Sequence, residues 1–211
     1  MLTLIDELFI LSLDEETTRP VVSRRQMRRE LAGALLAELS LRGKVCIGEG
    51  GQLETLDADP TGDGMLDKAM TVIQGSKRFR KVSYWVKVFS AAQKKPARKL
   101  KNRLVDEGIL KLEGDHLLWV IPAPNFPPGS ASPKYWIKNR LRSAILACEP
   151  VDLHTLALLG LALSDRLQRL VFTQDERKSA SQRTHQRILT EAMANRDAQF
   201  IEEIIQVVNA S

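Results

Sequence analysis

The clearest pattern of apolar and polar positions lies between residues 24 and 42, in the run RRQMRRELAGALLAELSLR. Four apolar residues recur there every four positions: Met27, Leu31, Leu35 and Leu39. This spacing is typical of one buried helix face. Ser23 stands before the run, with Gln26 at the spacing of a capping box, and Gly43 follows as a left-handed stop. The pattern predicts a long helix over Arg24–Arg42, against which the rest of the chain packs.

Shorter segments predict further helices and two hairpins. Leu2–Leu13 is mostly apolar, with two acids at Asp6 and Glu7, and is expected to form a short helical turn followed by an extended segment. Gly48–Gly51 and Glu113–Asp115 each separate two short apolar runs, which is typical of β-hairpins. Helices are predicted over Met65–Ile73, Lys81–Ala92, Pro96–Glu107, Lys134–Ala147, Leu153–Leu163, Arg177–Ala192 and Asp197–Val208. Together these elements predict a mainly α fold, a single globular helical domain over residues 1–211 with two small β-hairpins.

Positive charge is concentrated in one stretch of the chain. Lys77–Arg103 contains eleven Lys or Arg and no Asp or Glu, leaving 20 of the 31 basic residues elsewhere against all 26 acidic ones. Because the excess is local, an acidic partner is its natural explanation.

The cysteines and the N-terminus indicate a cytoplasmic protein. Cys46 and Cys148 match neither a zinc-ligand spacing nor a disulfide framework, which favours a reducing compartment. The opening residues MLTLIDELFILSLDEE carry acids where a signal peptide carries bases. The longest apolar run, Leu153–Leu163, falls short of the roughly 18 residues of a membrane span.

Catalytic chemistry has little support in the sequence. His116, His154 and His185 lie far apart, and no metal-binding, nucleophile or nucleotide-binding motif surrounds them. The acids of Asp57–Asp63 would suit metal binding or acid–base chemistry, but a capped turn before the next helix explains the same residues. We therefore expect no enzyme, no metal and no cofactor.

Four sequence blocks resemble the Golgi phosphoprotein 3 family, cytosolic proteins that bind phosphatidylinositol 4-phosphate. The blocks are LTLIDELFILSL at Leu2–Leu13, GALLAELSLRGKV at Gly33–Val45, DPTGDGMLDKAM at Asp59–Met70 and KNRLVDEGIL at Lys101–Leu110. The resemblance implies a mostly α-helical globular fold, binding to anionic membrane lipid and recruitment of client proteins. It also implies a cytoplasmic, peripheral-membrane location, on the cytosolic face of the Golgi in a eukaryote or the inner-membrane surface in a bacterium.

The family's eukaryotic members carry a basic tail before the first block, whereas this sequence begins at the block. In this respect it resembles the simpler, tail-less members found in bacteria.

The resemblance also places the family's headgroup pocket on this sequence. A tryptophan before the long helix and an arginine within it correspond to Ser23 and Ala32. Two further arginines, three residues apart at the start of another helix, correspond to Lys94 and Ala97. Only Lys94 keeps a charge, and lysine binds phosphate as a point charge without the planar fork of arginine.

Neighbouring basic residues could replace the pocket arginines. The predicted headgroup-binding residues are Lys94, Lys95, Arg98, Lys99, Arg28 and Arg29. The first four cluster at a helix start, where free N–H groups and the helix dipole favour an anion. The two arginines stand near Ala32 on the long helix, which the family fold places nearby. The alternative interpretation is that these residues form an ordinary solvated face.

The aromatic residues give one further candidate. Trp85 has helical spacing with its apolar neighbours, so we expect it in the core. Phe126 lies in the proline-rich segment Pro122–Pro133, whose counterpart in the family is linked to membrane contact and self-association. We therefore expect Phe126 to serve one of these roles, with homo-oligomer formation through the 109–133 hairpin and loop.

The alternative function is nucleic-acid binding. A helix ending in RLVDEGIL and followed by a short hairpin is typical of winged-helix modules, and the basic charge of residues 77–103 would suit DNA phosphates. A winged helix does not account for the Gly33–Val45 and Asp59–Met70 blocks, so nucleic acid is the less favoured partner.

Overall fold

Helices and two antiparallel hairpins make up the computed structural model, which describes residues 2–14, 17, 19–93, 95–113, 116–120, 132–147, 151–163 and 165–210. The helices are α1 Leu4–Ser12, α2 Arg24–Leu41, α3 Gly64–Gln74, α4 Val82–Ala92, α5 Pro96–Asp106, α6 Pro133–Leu146, α7 Leu153–Leu161, α8 Asp165–Val171, α9 Gln174–Ala194 and α10 Arg196–Asn209. The strands are β1 Val45–Ile47, β2 Leu53–Thr55, β3 Leu110–Glu113 and β4 His116–Trp119, paired β1–β2 and β3–β4. This architecture confirms the predicted mainly α fold with two small β-hairpins.

Helix α2 follows its prediction closely. The Ser23 hydroxyl accepts a hydrogen bond from the Gln26 backbone N–H at 3.2 Å, and Gly43 adopts φ +66° after the helix. The Gln26 side chain does not complete the predicted capping box. It donates instead to Glu30 one turn further on, at 2.9 Å.

Helix α1 differs from its prediction, because residues 4–12 form a complete helix rather than a turn and an extended segment. Thr3 and Asp6 form a capping box at its start, which satisfies backbone N–H groups that would otherwise lack partners. Every residue of α1 is buried. Helices α2, α5, α6, α7 and α8 all pack against it, so α1 lies at the centre of the core.

Among its described residues, the C-terminal half contains one helix more than predicted. Helix α7 ends at Leu161, and the seven-residue α8 follows it where the sequence predicts no helix. Helix α9 also begins earlier than predicted, because Thr173 and Glu176 form a capping box ahead of it.

Two glycines let α10 approach its neighbours closely. A Cβ atom added at Gly33 on α2 would lie 2.6 Å from Cγ2 of Val208. One added at Gly160 on α7 would lie 2.1 Å from Cδ1 of Ile205. Both distances are shorter than van der Waals contact, so these helix contacts require the absence of a side chain.

Arg103 on α5 connects segments that are distant in sequence. Its guanidinium lies 3.2 Å from the Asp6 carboxylate on α1, 2.7 Å from Asp63 at the start of α3, and 3.0 Å from Glu107. The Asp6 side chain is fully buried. Burial raises the pKa of Asp6 against the opposing effects of Thr3 and Arg103. Arg103 therefore supplies the positive charge that this buried carboxylate needs.

A second polar connection joins α1 and α2 to the turn before α3. Glu38 accepts a hydrogen bond from the Leu4 backbone N–H at 2.8 Å and pairs with Arg42, also at 2.8 Å. The Arg42 guanidinium in turn donates to the Thr61 carbonyl at 3.3 Å. With the Arg103 contacts, these bonds bring all four of the sequence blocks together in space.

Within the described ranges, no helix is both long enough and apolar enough to cross a membrane.

Candidate lipid-binding surface

The start of α5 forms an uncapped, positively charged corner after α4. Lys95 occupies the N-cap position with φ +51°, and among the described residues no side-chain hydrogen bond caps the helix. Pro96 follows at the first helical position, which suits its missing N–H group and fixed φ. The remaining free N–H groups of the first turn, together with the helix dipole, favour a negatively charged group at this end.

Three of the predicted headgroup residues lie together at this corner. Lys95, Arg98 and Lys99 are all exposed, and none of them forms an ion pair within the described part of the chain. Their charges are therefore available to an external anion. Lys94, the fourth predicted member of this group, lies outside the described residues, as does Phe126 with most of the proline-rich segment.

The two predicted arginines of α2 have different surroundings. The backbone carbonyl of Arg28 accepts a hydrogen bond from the Ser90 hydroxyl at 3.4 Å, which places the start of α2 beside the last turn of α4. The Arg28 side chain is half-buried and makes no ion pair with any described residue. The Arg29 guanidinium donates to the Val207 carbonyl near the end of α10. Thus the structure brings Arg28 towards the α4–α5 corner and engages Arg29 elsewhere.

An apolar cleft of about 190 Å³ opens beside the same corner. Five helices contribute to its walls, and its lining includes Ile5, Leu31, Leu35, Met65, Ala69, Phe89, Pro96 and Leu100. Lys68 from α3 and Lys99 from α5 also line the cleft, and both are exposed, so they form part of its rim. The result is an apolar depression with cations at its mouth.

Lys68 and the cleft are features that sequence reasoning missed. Lys68 lies outside the basic stretch 77–103, on a helix whose own sequence gives no indication that it faces α5. The cleft exists only because side chains from α1, α2, α3, α4 and α5 meet, and no local pattern encodes that meeting.

The positions of the family's pocket residues contribute little charge here. Ser23 caps α2, Ala32 is fully buried among the core side chains, and Ala97 packs partly against the core. The described cations at the corner therefore stand at neighbouring positions rather than at the family's own.

The acids of the turn before α3 have a structural role, as the capped-turn interpretation predicts. Asp63 accepts hydrogen bonds from the backbone N–H groups of Met65 and Leu66, at 2.8 and 3.1 Å. Burial would raise the pKa of Asp63, but these N–H groups and Arg103 hold it below its ordinary value. Asp67 accepts from the Thr61 hydroxyl at 2.6 Å.

The core of the N-terminal half also contains the predicted tryptophan. Trp85 is 3% exposed and stacks on Phe89 with ring centroids 5.7 Å apart. Its assignment to the core is confirmed.

His154 belongs to a partly buried polar contact. Its Nε2 atom lies 2.9 Å from the Glu7 carboxylate, which also accepts a hydrogen bond from Arg140 at 2.5 Å. In the described residues, no three or more His, Cys, Asp or Glu side chains are grouped so that they could hold a metal ion.

These features define a helical protein with a cation-rimmed apolar cleft between α1, α2, α3, α4 and α5. The chain belongs to the Golgi phosphoprotein 3 (GPP34) family, whose sequence profile matches residues 4–205. It is similar to the vacuolar protein sorting-associated protein 74 of Eremothecium gossypii, with 25% identity over 165 residues. That match covers 69% of this chain and 49% of the relative, so the chain spans about half the length of this curated relative.

Proposed function

We propose that this chain is a non-catalytic peripheral-membrane adaptor that binds anionic phospholipid headgroups at the start of α5. The observation that carries the proposal is the combination of exposed, unpaired cations with an apolar cleft at one corner. A phospholipid has the complementary character, because its anionic headgroup adjoins apolar chains. Family membership supports the same class of ligand.

The charges present support weak, reversible docking. Each basic residue near an anionic leaflet contributes about 1 kcal/mol, so Lys68, Lys95, Arg98 and Lys99 together contribute about 4 kcal/mol. Such binding weakens as salt increases, because charges farther apart than a Debye length are screened and that length shortens with salt. The same proposal includes recruitment of client proteins to the cytosolic face of a membrane, which is the Golgi membrane in a eukaryotic cell. It also includes that the whole chain acts as one domain.

The proposal concerns anionic headgroups as a class rather than phosphatidylinositol 4-phosphate alone. The family resemblance implies the phosphoinositide, yet three of the four pocket positions hold Ser23, Ala32 and Ala97. Lysine side chains bind phosphate without the two-point geometry of a guanidinium. We therefore expect affinity to follow the surface charge of the vesicle more than the identity of its headgroup.

Co-sedimentation with vesicles tests the proposal. Phosphatidylcholine vesicles would be compared with vesicles that also contain phosphatidylserine or phosphatidylinositol 4-phosphate, for the wild type and an Arg98→Ala/Lys99→Ala variant. Losing two cations removes about 2 kcal/mol, which corresponds to a roughly 30-fold weaker partition.

An Arg169→Ala/Lys178→Ala variant is the matched control. It removes the same two residue types from exposed positions on α8 and α9, so the net charge changes equally. The proposal is wrong if the wild type stays in the supernatant with every anionic vesicle at low salt, or if both variants lose binding equally.

Nucleic-acid binding is the second candidate, because α5 is followed directly by the β3–β4 hairpin, as in a winged helix. A mobility shift on random duplex DNA with a steep salt dependence, in a protein that does not bind vesicles, would favour this function instead.

A further inference from the structure

The loop between α3 and α4 exposes a phenylalanine within a basic sequence. Residues 77–81 read Lys-Arg-Phe-Arg-Lys, and Phe79 is 79% exposed. The other described phenylalanines, at positions 9, 89, 172 and 200, are each at most 5% exposed. Scattered exposed apolar residues are ordinary on protein surfaces. A large aromatic ring between four cations is a more specific arrangement, and it is typical of surfaces that bind the membrane interface.

The backbone around Phe79 is held in place. The Arg80 carbonyl accepts a hydrogen bond from the Leu53 backbone N–H at 2.9 Å, and Lys81 pairs with Gln52 in an isolated β-bridge. On the other side, the Arg78 carbonyl accepts from the Ser76 hydroxyl at 2.8 Å. The fold therefore presents the Phe79 ring to solvent from an anchored backbone.

The Phe79 loop leads directly into α4, which has an exposed face of its own. Helix α4 has 11 residues, about 16 Å, and it connects the Phe79 loop to the α5 corner. Tyr84, Lys87 and Ala91 are exposed at helical spacing along it. The Arg80 guanidinium also covers the Tyr84 ring at 4.8 Å. Phe79, this exposed face of α4 and the start of α5 therefore follow one another along the chain.

The free charge of this loop comes mainly from its first two cations. Lys77 and Arg78 are exposed and form no ion pair with the part of the chain that the structure describes. Lys81 is exposed but interacts electrostatically with Glu203 on α10. Lys77 and Arg78 are therefore the cations of this loop that are available to an anionic partner.

We propose that Phe79 inserts into the headgroup–acyl boundary of an anionic bilayer, while Lys77 and Arg78 pair with lipid phosphates around it. This inference rests on the proposed function and adds a second, apolar membrane contact to the α5 corner. A bilayer matches the surface better than a nucleic acid does, because Arg80 covers the Tyr84 ring and no other described aromatic ring beside Phe79 is free for base stacking.

Vesicle partition of Phe79 variants tests this proposal in the full chain. With phosphatidylcholine–phosphatidylserine vesicles, Phe79→Ala is expected to weaken partition about tenfold, the loss that follows from partial burial of one aromatic side chain. Phe79→Trp is expected to restore it, since tryptophan favours the membrane interface. The ratio of the wild-type partition coefficient to that of Phe79→Ala should persist at raised salt, because the apolar contribution to binding is not screened.

Met193→Ala is the matched control, because Met193 is 91% exposed on α9, which does not carry the proposed surface. Its partition should equal that of the wild type. The tryptophan fluorescence of Phe79→Trp, after that of the wild type is subtracted, should shift to shorter wavelength on vesicles. It should also be quenched by lipids brominated in the acyl chain.

Each contrary outcome has a distinct meaning. If the wild type binds anionic vesicles and Phe79→Ala binds equally well, the Phe79 proposal is wrong while the α5 site stands. If the wild type binds no anionic vesicle, the proposed function fails and this inference fails with it. If Phe79→Ala weakens binding to single-stranded DNA but leaves vesicle partition unchanged, the bilayer is the wrong partner.

Discussion

Arg103 is a basic residue whose removal should damage the fold rather than the proposed membrane contact. We consider Arg103→Met, which keeps an apolar stem of similar length and removes only the guanidinium. In the wild type this group lies against Asp6, Asp63 and Glu107. Without it, the fully buried Asp6 side chain loses its cationic partner.

The expected loss is about 3 kcal/mol in the free energy of unfolding. Removing one partner of a buried ion pair commonly costs about 3 to 5 kcal/mol. We take the lower value because the Asp6 carboxylate keeps its hydrogen bonds from Thr3, at 2.7 Å from the hydroxyl and 3.1 Å from the N–H. For a chain of this size the melting temperature should fall by roughly 6 to 12 °C.

Urea unfolding of Arg103→Met and Arg98→Met measures the effect. Both changes are on α5, but Arg98 is exposed and unpaired, so its change should stay within about 0.5 kcal/mol. Adding Asp6→Asn to Arg103→Met should recover part of the loss, because it removes the buried negative charge. Equal stability of the two single variants, or no recovery in the double variant, would refute the role assigned to Arg103.

Two further predictions concern local features of the fold. Glu176 accepts two hydrogen bonds from Arg142, which lower its pKa to about 2. Because the folded-state pKa lies below the ordinary 4.5, this contribution is present above that pH and is lost as pH falls towards about 2. The stability of Glu176→Gln should therefore vary less over this range than that of the wild type, as urea titrations at each pH would show. Gly33→Ala should lower stability by about 1 to 3 kcal/mol through its overlap with Val208. Gly64→Ala, with no atom near the added methyl group, should be neutral or slightly stabilising in the same assay.

Local signals allowed much of the fold to be predicted. The four-residue recurrence of α2, the Gly43 stop and the Asp63 cap each depend on residues close in sequence. The prediction for α1 was wrong in part because a segment buried on all sides has no polar face. Its periodicity therefore cannot distinguish a helix from a strand. The Thr3–Asp6 capping box was the local signal that would have identified it.

The candidate site was less predictable because it depends on distant partners. Composition identifies the basic stretch, but it cannot show that Arg103 is engaged by Asp6 and Asp63 while Arg98 stays free. Similarly, Arg29 binds a carbonyl on α10, 178 positions away in sequence. Only the packing of the helices decides which cations remain available.

Hydrogen–deuterium exchange can show whether the first turn of α5 binds the headgroups of anionic lipid. The full chain would be compared alone, with phosphatidylcholine vesicles, and with vesicles that also contain phosphatidylserine. We expect slower exchange in peptides covering residues 95–100 only with the anionic vesicles, because headgroups would occupy the uncapped N–H groups. Unchanged exchange in these peptides, while the protein is bound to the same vesicles, would contradict it.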